Sequence, residues 1–263
     1  QAARDGGGSG CARERSCGVA TYGGCEQAGC LDRDSVSLMG IGGDGVAVSA
    51  ALAPELGIAG LTMEHDLALL TERLHTAGAA LAQDVPKTEQ DRLMIVMADA
   101  HSPKNQFLVE GLQQELGTGF PITGGSANKN AGQTFVYFAG QAHQGAAVAL
   151  MLSGNFEVAL AGRQAKTNDT VVRSATEAAA EAKQRLGCAP MAAFAFNCGG
   201  RKGKLDRLED ELEAMQGVVG TGLPLFGCYC AGEIGPADTS EPSADVLSSG
   251  VGWHVMFTLL GRE

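Results

Sequence analysis

The sequence predicts an α+β, mixed α/β fold: largely antiparallel sheets, helices packed on them, and two related halves. Two observations carry this. Strand–helix–strand units are interrupted by three successive apolar runs, at 134–139, 146–153 and 156–161, punctuated by Gly140 and by Gly154-Asn155. Consecutive strands joined by glycine turns argue for hairpins and against a doubly wound parallel sheet. The order strand, loop, helix, glycine-rich strand also occurs twice, at 92–127 and 192–235. The expected division is a Gly- and Cys-rich leader at 1–30, a first half at 31–165 and a second at 166–263.

In order, the leader carries Gly6-Gly-Gly-Ser-Gly10 and then Cys11, Cys17, Cys25 and Cys30 without periodicity. Ser35–Met39 reads as a first strand. Gly40-Ile-Gly-Gly-Asp-Gly45 matches a dinucleotide-binding glycine pattern, but the β-branched Val46-Ala-Val48 that follows predicts a strand where that motif needs a helix. Thr62–Gln83 has a leucine stripe at helical spacing (Leu67, Leu70, Leu74, Leu81). Arg92–Ala98 is a buried strand. Ser102-Pro103 predicts a helix start and Gly117 its stop, while Asp99 and His101 occupy the strand-to-helix corner as turn-forming groups. Pro121–Ala127 is a strand ending in glycines. Thr170–Leu186 is a helix with an alanine face. Strand 192–198, helix 204–215, strand 223–230 and strand 252–260 complete the chain. The acids Glu209, Asp210, Glu211 and Glu213 read as the solvated face of the 204–215 helix.

Composition narrows the function. A net charge of −11 excludes nucleic-acid and anionic-membrane partners, both of which reward Lys and Arg. No apolar run reaches the roughly 20 residues needed to span a bilayer. Eight cysteines fall into an N-terminal set and a C-terminal set (Cys188, Cys198, Cys228, Cys230). Reduced thiols in a cytoplasmic protein are the favoured reading. Export with disulfides is the alternative, because the chain opens on Gln1 rather than Met. Cys25-x₄-Cys30 has a zinc-like spacing without a nearby histidine. Neither a metal nor any other cofactor is predicted.

The candidate site comes from two apolar runs that stop in glycine beside reactive side chains: Ala192–Arg201, ending Cys198-Gly199-Gly200-Arg201, and Leu225–Pro236, containing Cys228-Tyr229-Cys230-Ala231-Gly232-Glu233. Groups just past strand ends are where open sheets place ligands. Arg201 offers a fork of donors for a carboxylate and Glu233 an acceptor for an ammonium. Tyr229 would supply a wall or a hydroxyl, and Gly232 would allow close approach. Strand alternation puts Cys228 and Cys230 on one face and Tyr229 on the other. Their Cα atoms, about 6.5–7 Å apart, stand at or beyond the disulfide limit, so a bond between them is not expected. Cys198 is read as a packing or redox-sensitive member. The competing reading is a cysteine-dependent hydrolase or transferase with Cys198 as nucleophile and His101, His143 or His254 as base. A third is an interaction module with a vestigial site.

These segments resemble the FIST family. Cys198-x-x-Arg201 and Gly227-x-Tyr229-x-x-Gly232-Glu233-Ile234 are similar to the two hallmarks of its C-terminal domain, and Phe120-Pro-Ile-Thr-Gly-Gly-Ser-Ala127 is similar to its N-terminal domain. The likeness spans roughly residues 31 to 260; the first thirty residues do not match, and the joint between the halves is compressed. It implies a sensory module that binds a small molecule, such as an amino acid, at Cys198, Arg201, Tyr229, Gly232, Glu233, Gly124 and Gly125. It also implies signalling through self-association or a partner domain.

Overall fold

The computed structural model describes residues 39–127, 135–239 and 247–262. The leader with its four cysteines, and all but the last residue of the strand read at Ser35–Met39, lie outside the described residues. The elements are β1 (Val46–Ala53), α1 (Leu67–Asp84), β2 (Asp91–Ala98), α2 (Asn105–Leu116), β3 (Ile122–Ser126), β4 (Val136–Phe138), β5 (Gln141–His143), β6 (Ala147–Gly154), β7 (Glu157–Gln164), α3 (Asn168–Leu186), β8 (Ala189–Cys198), α4 (Gly199–Lys202), α5 (Asp210–Val219), β9 (Leu225–Cys230), β10 (Glu233–Gly235), β11 (Ser249–Val251) and β12 (His254–Arg262).

Two sheets lie face to face, with helices on their outer sides. One has strand order β1-β6-β2-β3-β10-β11, the other β7-β12-β8-β9; β4 and β5 form a separate hairpin. Pairing is antiparallel except for β2–β3 and β8–β9. The mixed α+β character read from the sequence is therefore the observed one. Strand alternation builds the layers. In β8, Ala193 and Ala195 face the α3 and α5 side, where Ala175, Ala178, Ala179 and Ala182 let α3 approach closely. Phe194 and Phe196 face the other way, onto Leu93, Ile95, Leu152 and Met256 between the sheets. Met94, Val96 and Ala98 of β2 pack against α1 and α2. Strands buried on both faces read as continuous apolar runs, which is why they were legible without an alternating pattern.

The run of three strands is not one meander. β4 turns into β5 at Ala139-Gly140, whereas β6 pairs with β1 and β2 and β7 pairs with β12 in the opposite sheet. Gly154 (φ 151°) makes this change of sheet feasible; a Cβ there would run into the carbonyl of Gly45. Helix starts also differ from the expectation. Ser102–Lys104 first form a turn, so Ser102 does not cap α2. The Asp66 carboxylate accepts the Thr62 N–H (2.9 Å) in a turn preceding α1. At α3 the helix starts ahead of the expected Thr170, with Asn168 and Asp169 inside it and Thr167 and Thr170 forming a reciprocal cap, while Gly187 ends it left-handed as expected. Gly40–Gly45 lead directly into β1.

Candidate functional site

The C-terminal ends of both parallel strand pairs meet. β8 and β9 run in register, with Cys198 opposite Cys230. Beyond Cys230 the chain crosses to the other sheet, where β10 pairs with β3, Glu233 opposite Gly125. The crossing is tied on both sides. Ala231 N–H donates to Ser126 O (3.0 Å), Ser126 N–H to Gly232 O (2.8 Å) and Ser102 N–H to Ala231 O (3.0 Å). The Asn105 amide donates to Glu233 O (2.9 Å). Glycines are required along this seam. A Cβ on Gly232 (φ 147°) would meet Ser102 N at 2.7 Å, one on Gly125 would overlap the Cys230 sulfur, and one on Gly124 would overlap the Val96 carbonyl. At Gly124 and Gly125, then, the space is taken by protein, a packing reason that the sequence pattern could not separate from ligand approach.

The four proposed side chains divide between two layers. Arg201 and Tyr229 lie on the helix side. Arg201 is fully buried. Its Nε and Nη2 donate to Glu211 Oε1 (3.0 and 2.6 Å), Nη2 also donates to Val171 O and Ser174 Oγ, and Nη1 donates to Trp253 O at 3.5 Å. The Tyr229 hydroxyl donates to Glu211 Oε2 (3.0 Å). This corrects two roles. The guanidinium that was to grip a ligand carboxylate is engaged by α3 and α5, and the Tyr229 hydroxyl serves the same internal carboxylate. Glu211, read as solvated, is the fully buried centre of the network. Its position was visible in the helical spacing: it lies three residues after Leu208 and four before Met215, on the inward stripe.

Cys198 and Glu233 occupy the layer between the sheets. Glu233 is fully buried. Its Oε2 accepts the His254 N–H (3.0 Å), while Oε1 has no hydrogen-bond partner. Burial pushes its carboxyl up to about 8, against the opposing influence of the His254 N–H, the Cys198 thiol and the Arg201 charge. The Cys198 thiol is itself held above its usual range by burial and by the Glu233 charge, with the backbone N–H groups of Gly200, Trp253 and Arg201 pulling the other way. Cys228 and Cys230, both free thiols, stand with their sulfurs 3.6 Å apart.

Next to this layer the Gly252-Trp253 turn carries the chain from β11 in one sheet to β12 in the other. Trp253, the chain's one tryptophan, sits at φ 67°, an uncommon backbone conformation for a bulky residue. A Cβ on Gly200 would stand 3.0–3.2 Å from its indole ring. The His254 ring Nδ1 is 2.8 Å from Gly252 O. Sequence reasoning passed over Trp253 as part of a strand. It also passed over Asn197, fully buried with neither amide atom partnered. Asp99 accepts the Gly145 N–H (3.0 Å), the turn role expected of it.

Two surface clefts lie elsewhere: one of about 450 Å³ lined by residues including Arg92, Phe120 and Val158, and one of about 720 Å³ lined by residues including Arg163, Glu177 and Arg185. Neither is lined by Cys198 or Glu233. Among the described residues no cluster of His, Cys, Asp and Glu is arranged to hold a metal ion, and no helix is long and apolar enough to cross a membrane.

The fold and this seam define a two-sheet α/β protein with a closed, polar cluster where its parallel strand ends converge. The FIST N domain model matches residues 11–183, and the chain belongs to the FIST family, whose domains are sensory and bind small ligands in signalling. No curated protein matches the chain. Among solved structures it is similar to a cyanuric acid hydrolase from A. caulinodans, at 11% identity, over 83% of this chain and 67% of that one, with a TM-score of 0.33.

Proposed function

We propose that this protein is a sensory module that binds a small ammonium-bearing molecule, an amino acid being the simplest, at Glu233 beside the Gly252-Trp253 turn. The observation that carries the reading is Glu233 Oε1, a fully buried carboxyl oxygen with no partner. Such atoms are uncommon in folded proteins and leave room for a bound partner, a water or an ion; of those among the described residues, this is the carboxyl oxygen. An ammonium would supply both the missing hydrogen bond and the charge that makes an ionised buried carboxylate tolerable. Glu233 is fully buried, so under this reading entry requires a local opening, and the adjacent Gly252-Trp253 turn, with Trp253 in a sparsely populated backbone conformation, is suited to act as its hinge. The Cys198 thiol, held in its neutral form, supports a packing role better than a nucleophilic one.

Trp253 is the built-in reporter. Titration of the protein with individual amino acids, followed by tryptophan fluorescence, should give a saturable change for a subset of them. Glu233→Gln keeps the shape and removes the charge. A charge-assisted hydrogen bond contributes about 1.5–3 kcal/mol, so this variant should bind roughly 10- to 100-fold more weakly. Equal affinity in Glu233→Gln would remove Glu233 as the anchor.

A further inference from the structure

Three thiols share the layer between the sheets around Glu233. Cys198 and Cys230 are register partners on adjacent strands, and Cys228 lies two residues before Cys230 on the same face. The closest sulfurs are those of Cys228 and Cys230, 3.6 Å apart and hydrogen-bonded. We propose that Cys228 and Cys230 form an oxidation site, a dithiol that a hydroperoxide converts reversibly to an intramolecular disulfide. This goes beyond ligand binding at Glu233 and does not depend on it.

The spacing argument from sequence opposed such a bond, because two strand residues at i and i+2 have Cα atoms at the edge of the allowed range. The sulfurs nevertheless converge here. Both side chains sit at the end of β9, the edge strand of its sheet, immediately before the chain leaves the strand at Ala231-Gly232. A disulfide closed at the edge of that range is strained, hence readily reduced again, which is the property of regulatory rather than structural disulfides. The two sulfurs also differ in the way a reactive pair requires. Cys228 as a residue is less buried than Cys230, which is fully buried. The contact with Cys230 holds the Cys228 thiol below its usual range against the effect of burial, and the same contact, with burial, holds Cys230 well above.

The chemistry balances with the peroxide as sole oxidant. Cys228 loses its proton to solvent, and its thiolate attacks one peroxide oxygen. The O–O bond breaks, the sulfur is oxidised to the sulfenic acid, and the other oxygen leaves as water or an alcohol after taking up a proton. The Cys230 sulfur then attacks the Cys228 sulfur. The S–O bond breaks and hydroxide leaves with the Cys230 proton as water. Two thiols and one hydroperoxide give one disulfide, water, and water or an alcohol. The bond would draw in the end of β9, three residues from Glu233.

The test is brief treatment of the intact, reduced protein with hydrogen peroxide, followed by alkylation, trypsin digestion and mass spectrometry. Arg201, Lys202, Lys204 and Arg207 separate Cys198 from the peptide that carries Cys228 and Cys230. The expected result is that this one peptide loses two hydrogens, resists alkylation at both cysteines, and is restored by dithiothreitol. Cys230→Ser should accumulate a sulfenic acid at Cys228 that dimedone captures. A cross-link joining the Cys198 peptide to the Cys230 peptide, over-oxidation of Cys228 without a bond, or full alkylation after treatment would each overturn the proposal.

Discussion

At the scale of single residues, the molecule separates two kinds of buried ionisable group. Arg201 and Glu211 neutralise each other within a set of hydrogen bonds that also holds Tyr229, Val171 and Ser174. Glu233 is left with one oxygen open. The first arrangement is structural, so removing one partner should be severe. Arg201→Met strands the Glu211 carboxylate and should lower stability by about 3–5 kcal/mol, read from urea unfolding. The double variant Arg201→Met, Glu211→Leu should recover a large part of that loss. A loss below about 1 kcal/mol in the single variant would mean that the pair behaves as if exposed. Here the limit of sequence reading is plain. It put Cys198 at the end of β8 with Arg201 just past it, and strand alternation correctly put Tyr229 opposite the cysteines, whereas Glu233, expected just past a strand, opens β10. It could not assign partners, because those depend on which helix lies over which face. Glu211 was recoverable from its helical phase; the open valence of Glu233 was not.

At the scale of elements, close packing is written in glycine. Where α1 and α2 cross, a Cβ on Gly78 would enter the Leu108 carbonyl and one on Gly111 the His75 carbonyl. Alanine usually stabilises a helix by roughly 0.5–1 kcal/mol relative to glycine. At these two positions the crossing should reverse the sign, with Gly78→Ala or Gly111→Ala lowering stability by about 1–3 kcal/mol through forced separation of the helices. Thermal melts of both variants check this; a raised melting temperature would show that the helices have room to move apart. Sequence reading gave these two glycines no role. Periodicity located the long helices and the buried strands, and it missed β10 and β11, three residues each. Segments that short have no period to detect, and Glu233, which opens β10, was placed just beyond the end of the 223–230 strand. The three-strand run misled for a different reason. Turn residues between β6 and β7 specify a reversal, but not whether the second strand rejoins the same sheet.

At the scale of the whole molecule, the two related halves are visible in topology. Strand order β1-β6-β2-β3 recurs as β7-β12-β8-β9, with antiparallel, antiparallel and parallel pairing in the same sequence. We propose that the second structural half begins at β7, after Gly154 rather than near residue 165, while the match to the FIST N domain model runs on through β7 to residue 183. Sequence could detect the repeat only as an order of elements, because the halves share packing geometry rather than residues. The duplication has a functional consequence under the proposed reading. The ends of both parallel strand pairs meet at one seam, and a ligand at Glu233 would touch both sheets, giving a signal a route into the whole fold. The pH dependence of binding tests this centre most directly. Empty, Glu233 holds its proton up to about pH 8; bound to an ammonium, it must be a carboxylate. Binding at pH 7 should therefore release close to one proton, and affinity should rise with pH until about pH 8 and then level. His254 is shifted down from 6.5 and Cys198 up from 9.0, so neither changes charge between pH 7 and 8. Isothermal titration calorimetry of a responding amino acid, in two buffers of different ionisation enthalpy at pH 7, reads the proton count. Release of nearly one proton, abolished in Glu233→Gln, is the predicted result; binding with no proton released, or with the same proton count in Glu233→Gln, would contradict it.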